Sequence, residues 1–315
     1  GVTGVQTCAL PIYNESGFIQ NVPRSVLEVQ GQDSAQHLQR FCTADLSDLE
    51  CGEGREAMFL NAKGKLVGFV EVYRLNERWL LFGSPGQAAT LQTHLDRYVV
   101  REDVQFKDLS ESMSVLVLVG SNLTERLEPL NATPPETMPG SKEGTSNPLV
   151  LSSRELGEHG LWLVAGTDEL QETLVGCGET LLSSETLEQI RQRNQYPRFG
   201  LDLSENNLPQ ELQRDSIAIS FTKGCYLGQE TVARIDALGH VNRLLCSLQG
   251  QGPCPTEFPR DVTSPDQVVG KITSAASIDG DSAWQGTATL QRGAVKDKNR
   301  LSVDGQSVAI LPPVS

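Results

Sequence analysis

The sequence predicts an α+β protein of two or three domains that ends in a small β-barrel. The chain has 315 residues, and a single hydrophobic core stops growing at about 250–300 residues. Segments with helical and strand periodicity are mixed as far as residue 238. From His240 onwards only strand patterns occur, separated by turns that contain Gly, Pro and Asp, which is typical of a small barrel.

The mixed part of the chain contains both kinds of element. Helices are expected after Asp33, which suits an N-cap, and over Ala88–Tyr98 and Ser184–Arg193. Asn131–Pro148 is rich in Pro, Gly, Ser, Thr and Asn, and we interpret it as a linker. Strands are expected at Ser25–Gln30, Glu56–Asn61, Lys65–Leu75, Arg78–Phe82, Val115–Val119 and Gly160–Ala165, and barrel strands at Arg243–Gln249, Val268–Ala275, Thr287–Gln291 and Ser307–Leu311.

The composition argues against two classes of partner. The formal net charge is −14 at pH 7, from 26 basic and 40 acidic residues. A protein that binds nucleic acid directly needs a basic face for the phosphates, so direct nucleic-acid binding is not expected. Since no run of about 18 apolar residues occurs, a membrane-spanning helix is not expected either.

The number and spacing of the seven cysteines do not indicate a disulfide framework or a metal site. Their number is odd and no Cys-x-x-Cys pair occurs, so neither a disulfide network nor a tetrahedral zinc site is supported, and no metal site is expected. We expect most of them to be reduced in a cytoplasmic protein, several as small buried hydrophobic side chains.

The first residues of the chain differ from the rest. Gly1–Ile12 has no periodicity, does not lead into the strand that follows, and is similar to a translated sequencing adapter. We interpret residues 1–16 as a disordered or artefactual leader and exclude Cys8 from functional reasoning.

The most informative segment is Phe221–Ile235, which reads FTKGCYLGQETVARI. Gly224 and Gly228 flank Cys225, and glycine permits positive φ and close backbone approach. The residues after Gly228 have helical character, so Cys225 is expected just before a helix N-terminus. Backbone amides there, together with Lys223, would favour a reactive thiolate. The alternative is a packed, unreactive cysteine in a glycine-rich turn.

This segment resembles the signature of the YgfZ-type proteins, a group that includes mitochondrial iron–sulfur assembly factors. The match covers residues 223–226 and 228–230, and it continues into residues 232–234. Further matching segments extend the resemblance from about Gly17 to the C-terminus: Val29–Asp33, Thr43–Asp45, Arg198–Asp202, Leu208–Glu211 and Gly270–Ala275.

The YgfZ-type proteins are in turn similar to the T-protein of the glycine cleavage system, an aminomethyltransferase. The resemblance implies an α+β, T-protein-like fold of three domains around a central opening that holds tetrahydrofolate. It implies a discontinuous first domain at 17–54 and 140–238, an inserted second domain at 55–139, and a C-terminal β-barrel domain at 239–315.

The resemblance also implies tetrahydrofolate or a derivative as cofactor. In T-proteins the Glu of a Pro-x-Glu segment binds the pterin, and Glu211 occupies that place, where its carboxylate could accept two hydrogen bonds. Further folate contacts are expected from Tyr226, Lys223, Gln229 and Arg234. From the residues alone, a solvated Glu211 and ordinary packing of Tyr226 stay open as alternatives.

One departure from the T-proteins concerns catalysis. T-proteins carry two Asp residues after a Leu-Asn…Gly-Gly turn, and one of them assists aminomethyl transfer. In the matching segment Leu60–Phe69, Gly68 and Phe69 occupy those places, and neither side chain can carry a proton. The chain is therefore not expected to be a working aminomethyltransferase.

Three functions follow from these observations. The first is a tetrahydrofolate-binding factor that supports assembly or repair of iron–sulfur proteins, and indirectly tRNA modification. Cys225 would be its functional thiol, and its partners would be a reduced folate and iron–sulfur client or assembly proteins. The alternatives are a folate-dependent one-carbon transferase and a folate-sensing scaffold without catalysis.

Overall fold

The computed structural model describes residues 16–20, 22–127, 148–166, 180–264, 267–280, 282–296 and 300–314. Cys8 and Cys177 lie outside these ranges, as do the expected leader apart from Ser16 and the expected linker apart from Pro148.

Short strands and helices alternate over the described part of the chain. The strands are β1 Gly17–Ile19, β2 Ser25–Gln30, β3 Gly54–Leu60, β4 Leu66–Arg74, β5 Arg78–Gly83, β6 Gln105–Asp108, β7 Met113–Val119, β8 Leu149–Ser152, β9 Gly160–Gly166, β10 Arg243–Gln251, β11 Arg260–Ser264, β12 Gln267–Ser277, β13 Ala283–Gln291, β14 Leu301–Val303 and β15 Gln306–Ile310. The α-helices are α1 Ser34–Phe41, α2 Gln87–Asp96, α3 Leu123–Leu127, α4 Ser184–Arg193, α5 Asp215–Ala218, α6 Gln229–Leu238 and α7 Arg292–Lys296, and short 3-10 helices span Gly157–His159 and Pro209–Leu212.

These strands form three antiparallel sheets. One sheet has the order β3-β4-β5-β2-β6, a second has the order β1-β7-β9-β8, and β10-β13-β12-β11-β14-β15 close into a barrel. The predicted α+β class and C-terminal barrel are confirmed. Among the barrel strands, β11 and β14 were not predicted, because one begins with Arg-Asp and the other has only three residues, too few to show alternation. Outside the barrel, the short strands β1, β6 and β8 were not predicted either.

Both faces of the five-stranded sheet are covered by other elements, so this sheet lies in the interior of the molecule. Side chains of β3 and β4 alternate between the faces. Phe59, Val70 and Val72 pack with the helices α1 and α2, in a cluster that includes Leu38 and Leu91. The opposite face carries Met58, Phe69 and Tyr73, which pack against residues of the second sheet or of the segment before the barrel.

Helix α4 contacts the barrel at the hydroxyl of Ser274, beside a buried ion pair. Arg191 lies 2.7 Å from Asp202, and both side chains are fully buried. Arg191 also donates a hydrogen bond of 2.8 Å to the hydroxyl of Ser274 in β12. Buried charges need such complete partnering, so this contact fixes α4 against the barrel.

The sheets share strands across the expected domain boundaries. β2, from the expected first domain, lies between β5 and β6 of the segment expected to form the second domain. The division of residues 17–238 into a discontinuous and an inserted domain stays a prediction. Among the described helices, none has the length and apolar character required to cross a membrane.

Candidate functional site

The segment of residues 221–228, which we call the Cys225 loop, leads directly into α6. Gly228 caps that helix with a φ of 84°, a left-handed conformation that glycine adopts without steric cost. A Cβ atom at Gly228 would lie 2.8 Å from the carbonyl oxygen of Asn61. The glycine therefore allows the loop to lie directly against the turn between β3 and β4, and the helix expected after it is confirmed.

Lys223 anchors the Cys225 loop to the end of α1. Its buried ammonium donates hydrogen bonds to the carbonyl oxygens of Cys42, at 3.0 Å, and of Ala44. Burial lowers the pKa of Lys223, against the opposing effects of Cys42 and Asp45. These contacts give Lys223 a structural role, and its expected influence on Cys225 and on folate stays a prediction.

Cys225 differs in exposure from the other cysteines that the structure describes. Of these five, Cys225 alone is exposed, while Cys42 and Cys246 are buried and Cys51 and Cys254 are half-buried. Burial raises the pKa of the Cys246 and Cys254 thiols to about 11, and it also raises the pKa of Cys42. Cys225 is therefore exposed rather than packed, and its reactivity stays a prediction.

Tyr226 points into the core beneath the loop. Its side chain is buried and belongs to one apolar cluster with Leu60, Phe69, Leu212 and Val232. Burial raises the pKa of Tyr226 to about 12. Ordinary packing is thus the observed role of Tyr226, and a contact with a pterin stays a prediction.

Glu211 lies in the 3-10 helix Pro209–Leu212 and is buried rather than solvated. Its Oε2 accepts hydrogen bonds from the side chain of Asn207 at 2.9 Å and from the amide of Leu208 at 3.3 Å. Its Oε1 lies 3.7 Å from Nε of Arg243, whose side chain is 54% exposed. One carboxylate oxygen thus holds the helix, and the other is only loosely engaged.

Gln210, which precedes Glu211 in the sequence and was not predicted as a site residue, has an unpaired acceptor. Its Nε2 donates to the carbonyl oxygen of Val232 at 2.8 Å, which ties the 3-10 helix to α6. Its buried Oε1 has no hydrogen-bond partner. A buried acceptor without a donor is uncommon. The residue belongs to the Pro-Gln-Glu segment that drew attention to Glu211, so the sequence did contain its signal.

The two remaining predicted site residues lie on α6. Gln229 is half-buried, and its Oε1 lies 3.4 Å from the amide nitrogen of Tyr226, which donates to it. This contact closes the Cys225 loop on the first residue of the helix. Arg234 is exposed one turn further along. Folate contacts from both residues stay predictions.

The place of the T-protein acids is filled by apolar packing. Phe69 is 2% exposed, and its ring centroid lies 5.3 Å from that of Tyr196. A Cβ atom at Gly68 would lie 2.8 Å from Cδ2 of Leu91. A larger side chain at position 68 therefore requires the Leu91 side chain to shift.

A second group of polar residues, which we call the buried polar centre, comprises Glu56, Glu71, Tyr73, Tyr196 and Arg214. Arg214 donates from Nε to Glu56 at 2.6 Å, and its guanidinium carbon lies 5.6 Å from the centroid of the Tyr196 ring. Burial raises the pKa of Glu71 to about 7, against hydrogen bonds that lower it. This group was not predicted from the sequence, although a glutamate inside each apolar strand pattern was a signal.

Comparison with known proteins agrees with this architecture. A model of the GCVT N-terminal domain matches residues 14–139. The tRNA-modifying protein YgfZ of Aliivibrio fischeri is 29% identical over 238 residues, which cover 73% of this chain and 71% of that protein. An aminomethyltransferase of Nostoc is 24% identical over 282 residues, which cover 84% of this chain and 73% of that protein.

A solved structure extends the agreement to the fold. The glycine cleavage system aminomethyltransferase T of Bartonella henselae superposes with a TM-score of 0.81 at 16% identity, covering 95% of this chain and 85% of that one. The two sheets and the terminal barrel therefore define a T-protein-like chain. Within that class the chain is similar to the YgfZ-type proteins, several of which match it alongside the aminomethyltransferase.

Proposed function

We propose that this protein is a reduced-folate-binding factor that supports the assembly or repair of iron–sulfur proteins, with Cys225 as its functional thiol. The observation that carries the proposal is an exposed thiol on an anchored loop. Lys223 and Gly228 fix the two ends of that loop, while Cys225 faces solvent. A thiol must be accessible to react with a partner or to bind a metal centre.

Folate binding is supported by the acceptors beside α6. Oε1 of Gln210 has no donor, and Oε1 of Glu211 has only the 3.7 Å contact with Arg243. A pterin would supply a flat ring whose edge carries N–H donors, and Oε1 of Glu211 is an acceptor with spare capacity for them. The residues present thus fit tetrahydrofolate or a derivative, with Glu211 as the group that would hold the pterin edge.

We propose that any effect on tRNA modification is indirect and that the protein acts in the cytoplasm. The bacterial relatives are named as tRNA-modifying proteins. This chain carries a net charge of −14, and a protein that contacts tRNA directly needs a basic surface for the phosphates. An effect through iron–sulfur enzymes that modify tRNA agrees better with that charge.

The two alternative functions differ from the proposal at single residues. A one-carbon transferase of the T-protein kind would need an acid where Gly68 and Phe69 lie, and Phe69 is packed against Tyr196 instead. A folate-sensing scaffold would share the folate site and differ only in having no use for the Cys225 thiol.

The test is complementation of a bacterial strain that lacks its own family member. Cys225→Ala is compared with the intact protein and with Cys254→Ala, which removes a half-buried cysteine from the barrel. We expect the activity of iron–sulfur enzymes to be restored by the intact protein and by Cys254→Ala, but not by Cys225→Ala. Equal restoration by all three proteins would favour the scaffold, and no restoration by the intact protein would contradict the proposed function.

A further inference from the structure

Glu71 lies where the two open sheets meet, and its hydrogen-bond contacts determine whether its side chain is protonated. It is 5% exposed on β4. Its Oε1 accepts a hydrogen bond of 2.8 Å from the backbone amide of Arg154, which follows β8 in the other sheet. Its Oε2 lies 2.9 Å from the hydroxyl of Tyr73. Glu71 is therefore a bridge between β4 and the segment that follows β8.

The hydroxyl of Tyr73 has one proton and therefore cannot donate a full hydrogen bond to both of the oxygen atoms beside it. It lies 2.7 Å from the carbonyl oxygen of Ser152 and 2.9 Å from Oε2 of Glu71. A carbonyl oxygen can only accept, so the Tyr73 proton is required for the shorter contact with Ser152. If Glu71 were ionised, its contact with Tyr73 would place two acceptors together without a hydrogen. A protonated Oε2 solves this, because Glu71 then donates to Tyr73 and Tyr73 donates to Ser152.

From this geometry we propose that Glu71 is held as a neutral carboxylic acid whose proton joins the two sheets, and that loss of this proton loosens their junction. The carbonyl oxygen of the acid accepts from the amide of Arg154, while its hydroxyl donates to Tyr73. Every polar atom of the bridge then has a partner of the correct kind, as buried groups require.

The charged and titratable groups around Glu71 agree with a neutral acid. Burial raises the pKa of Glu71 most and the Glu56 carboxylate on β3 raises it further, against hydrogen bonds from Ser153, the Arg154 amide and Tyr73 that lower it. Arg214, the cation that faces this centre from the start of α5, is already bound to Glu56 through two hydrogen bonds. The remaining polar and titratable groups around Glu71 are Tyr73 on β4, Ser153, Arg154 and Glu155 after β8, and Tyr196 after α4.

The pH dependence follows from the direction of this shift. Burial raises the pKa of folded Glu71 to about 7, compared with 4.5 for an ordinary glutamate. The native state therefore keeps the proton at pH values where the unfolded chain has lost it. The contribution of Glu71 to stability is complete below about pH 4.5, declines as the pH rises, and is lost once the pH has passed through 7.

Two measurements on the full-length chain test the proposal. The first is a carbon-13 NMR titration of the glutamate carboxyl groups, with Glu71 assigned by the signal missing in Glu71→Gln, or in Glu71→Asp should the first variant not fold. We expect the Glu71 carboxyl to titrate near pH 7. Titration in the range of the exposed glutamates would overturn the proposal.

The second measurement is urea unfolding between about pH 5 and pH 8 for the wild type, Glu71→Gln and Glu230→Gln. A glutamine amide keeps both hydrogen bonds of the neutral acid and cannot ionise. Over this range we expect the unfolding equilibrium constant of the wild type to rise on the order of 100-fold relative to Glu71→Gln. Glu230 is exposed on α6, so Glu230→Gln should follow the wild type. Parallel profiles for the wild type and Glu71→Gln would contradict the proposal.

Discussion

The Cys225 loop and the buried polar centre both contain ionisable side chains, yet they are built in opposite ways. In the loop, a glycine cap and a buried lysine hold the backbone while the thiol is left exposed. In the centre, each charged group is enclosed by partners that are distant in sequence, such as Glu56 and Arg214, which are 158 residues apart. A local motif can thus determine how a reactive group is displayed, while tertiary contacts determine the protonation of a buried one.

The largest effect is expected for Arg214→Ala in the buried polar centre. The change would leave the Glu56 carboxylate buried without its cation, and breaking such a pair costs about 3–5 kcal/mol. Urea unfolding at neutral pH measures the loss. Arg260→Ala is the matched control, because Arg260 pairs with Asp304 at the surface, where a pair contributes about 0–1 kcal/mol. Equal losses in the two variants would show that the centre is not held by its ion pair.

A smaller effect is expected for Glu211→Ala, measured as folate affinity. Removal of a hydrogen bond to a charged group should weaken tetrahydrofolate binding by about 1.5–3 kcal/mol in calorimetry. Because Glu211 also holds its own 3-10 helix, the urea midpoint of the variant must be measured as well. Glu230→Ala, which removes an exposed carboxylate from α6, should bind as the wild type does. Absence of tetrahydrofolate binding by the intact protein would refute the folate site.

The next smaller effect is expected for alanine substitutions at the two glycines of the Cys225 loop, measured as the free energy of unfolding. Gly228→Ala would force a Cβ atom to 2.8 Å from the Asn61 carbonyl oxygen at a φ of 84°, and strain of this kind costs about 1–3 kcal/mol. A Cβ atom at Gly224 would have no heavy atom within 4 Å, so Gly224→Ala should change the free energy of unfolding by about 0.5 kcal/mol or less. The same loss in both variants would mean that the cap does not fix the loop.

These comparisons also separate what the sequence predicts from what only the structure reveals. The helix after Gly228 and the terminal barrel follow from local patterns, because caps, turns and alternation are encoded within a few residues. The bridge from Glu71 to Arg154 spans 83 residues, and no local pattern specifies which distant segment covers a strand. For the same reason Glu211, for which the residues alone favoured a solvated position, is found buried.

The central claim is that the Cys225 loop displays a reactive thiol while the other four cysteines that the structure describes are wholly or partly buried. A time course of iodoacetamide labelling of the native protein, read by peptide mass spectrometry, tests it most directly. We expect Cys225 to label first, the half-buried Cys51 and Cys254 more slowly, and the buried Cys42 and Cys246 only after unfolding. If Cys225 labels no faster than Cys254, the loop does not present a reactive thiol and is better interpreted as a folate-binding or docking turn.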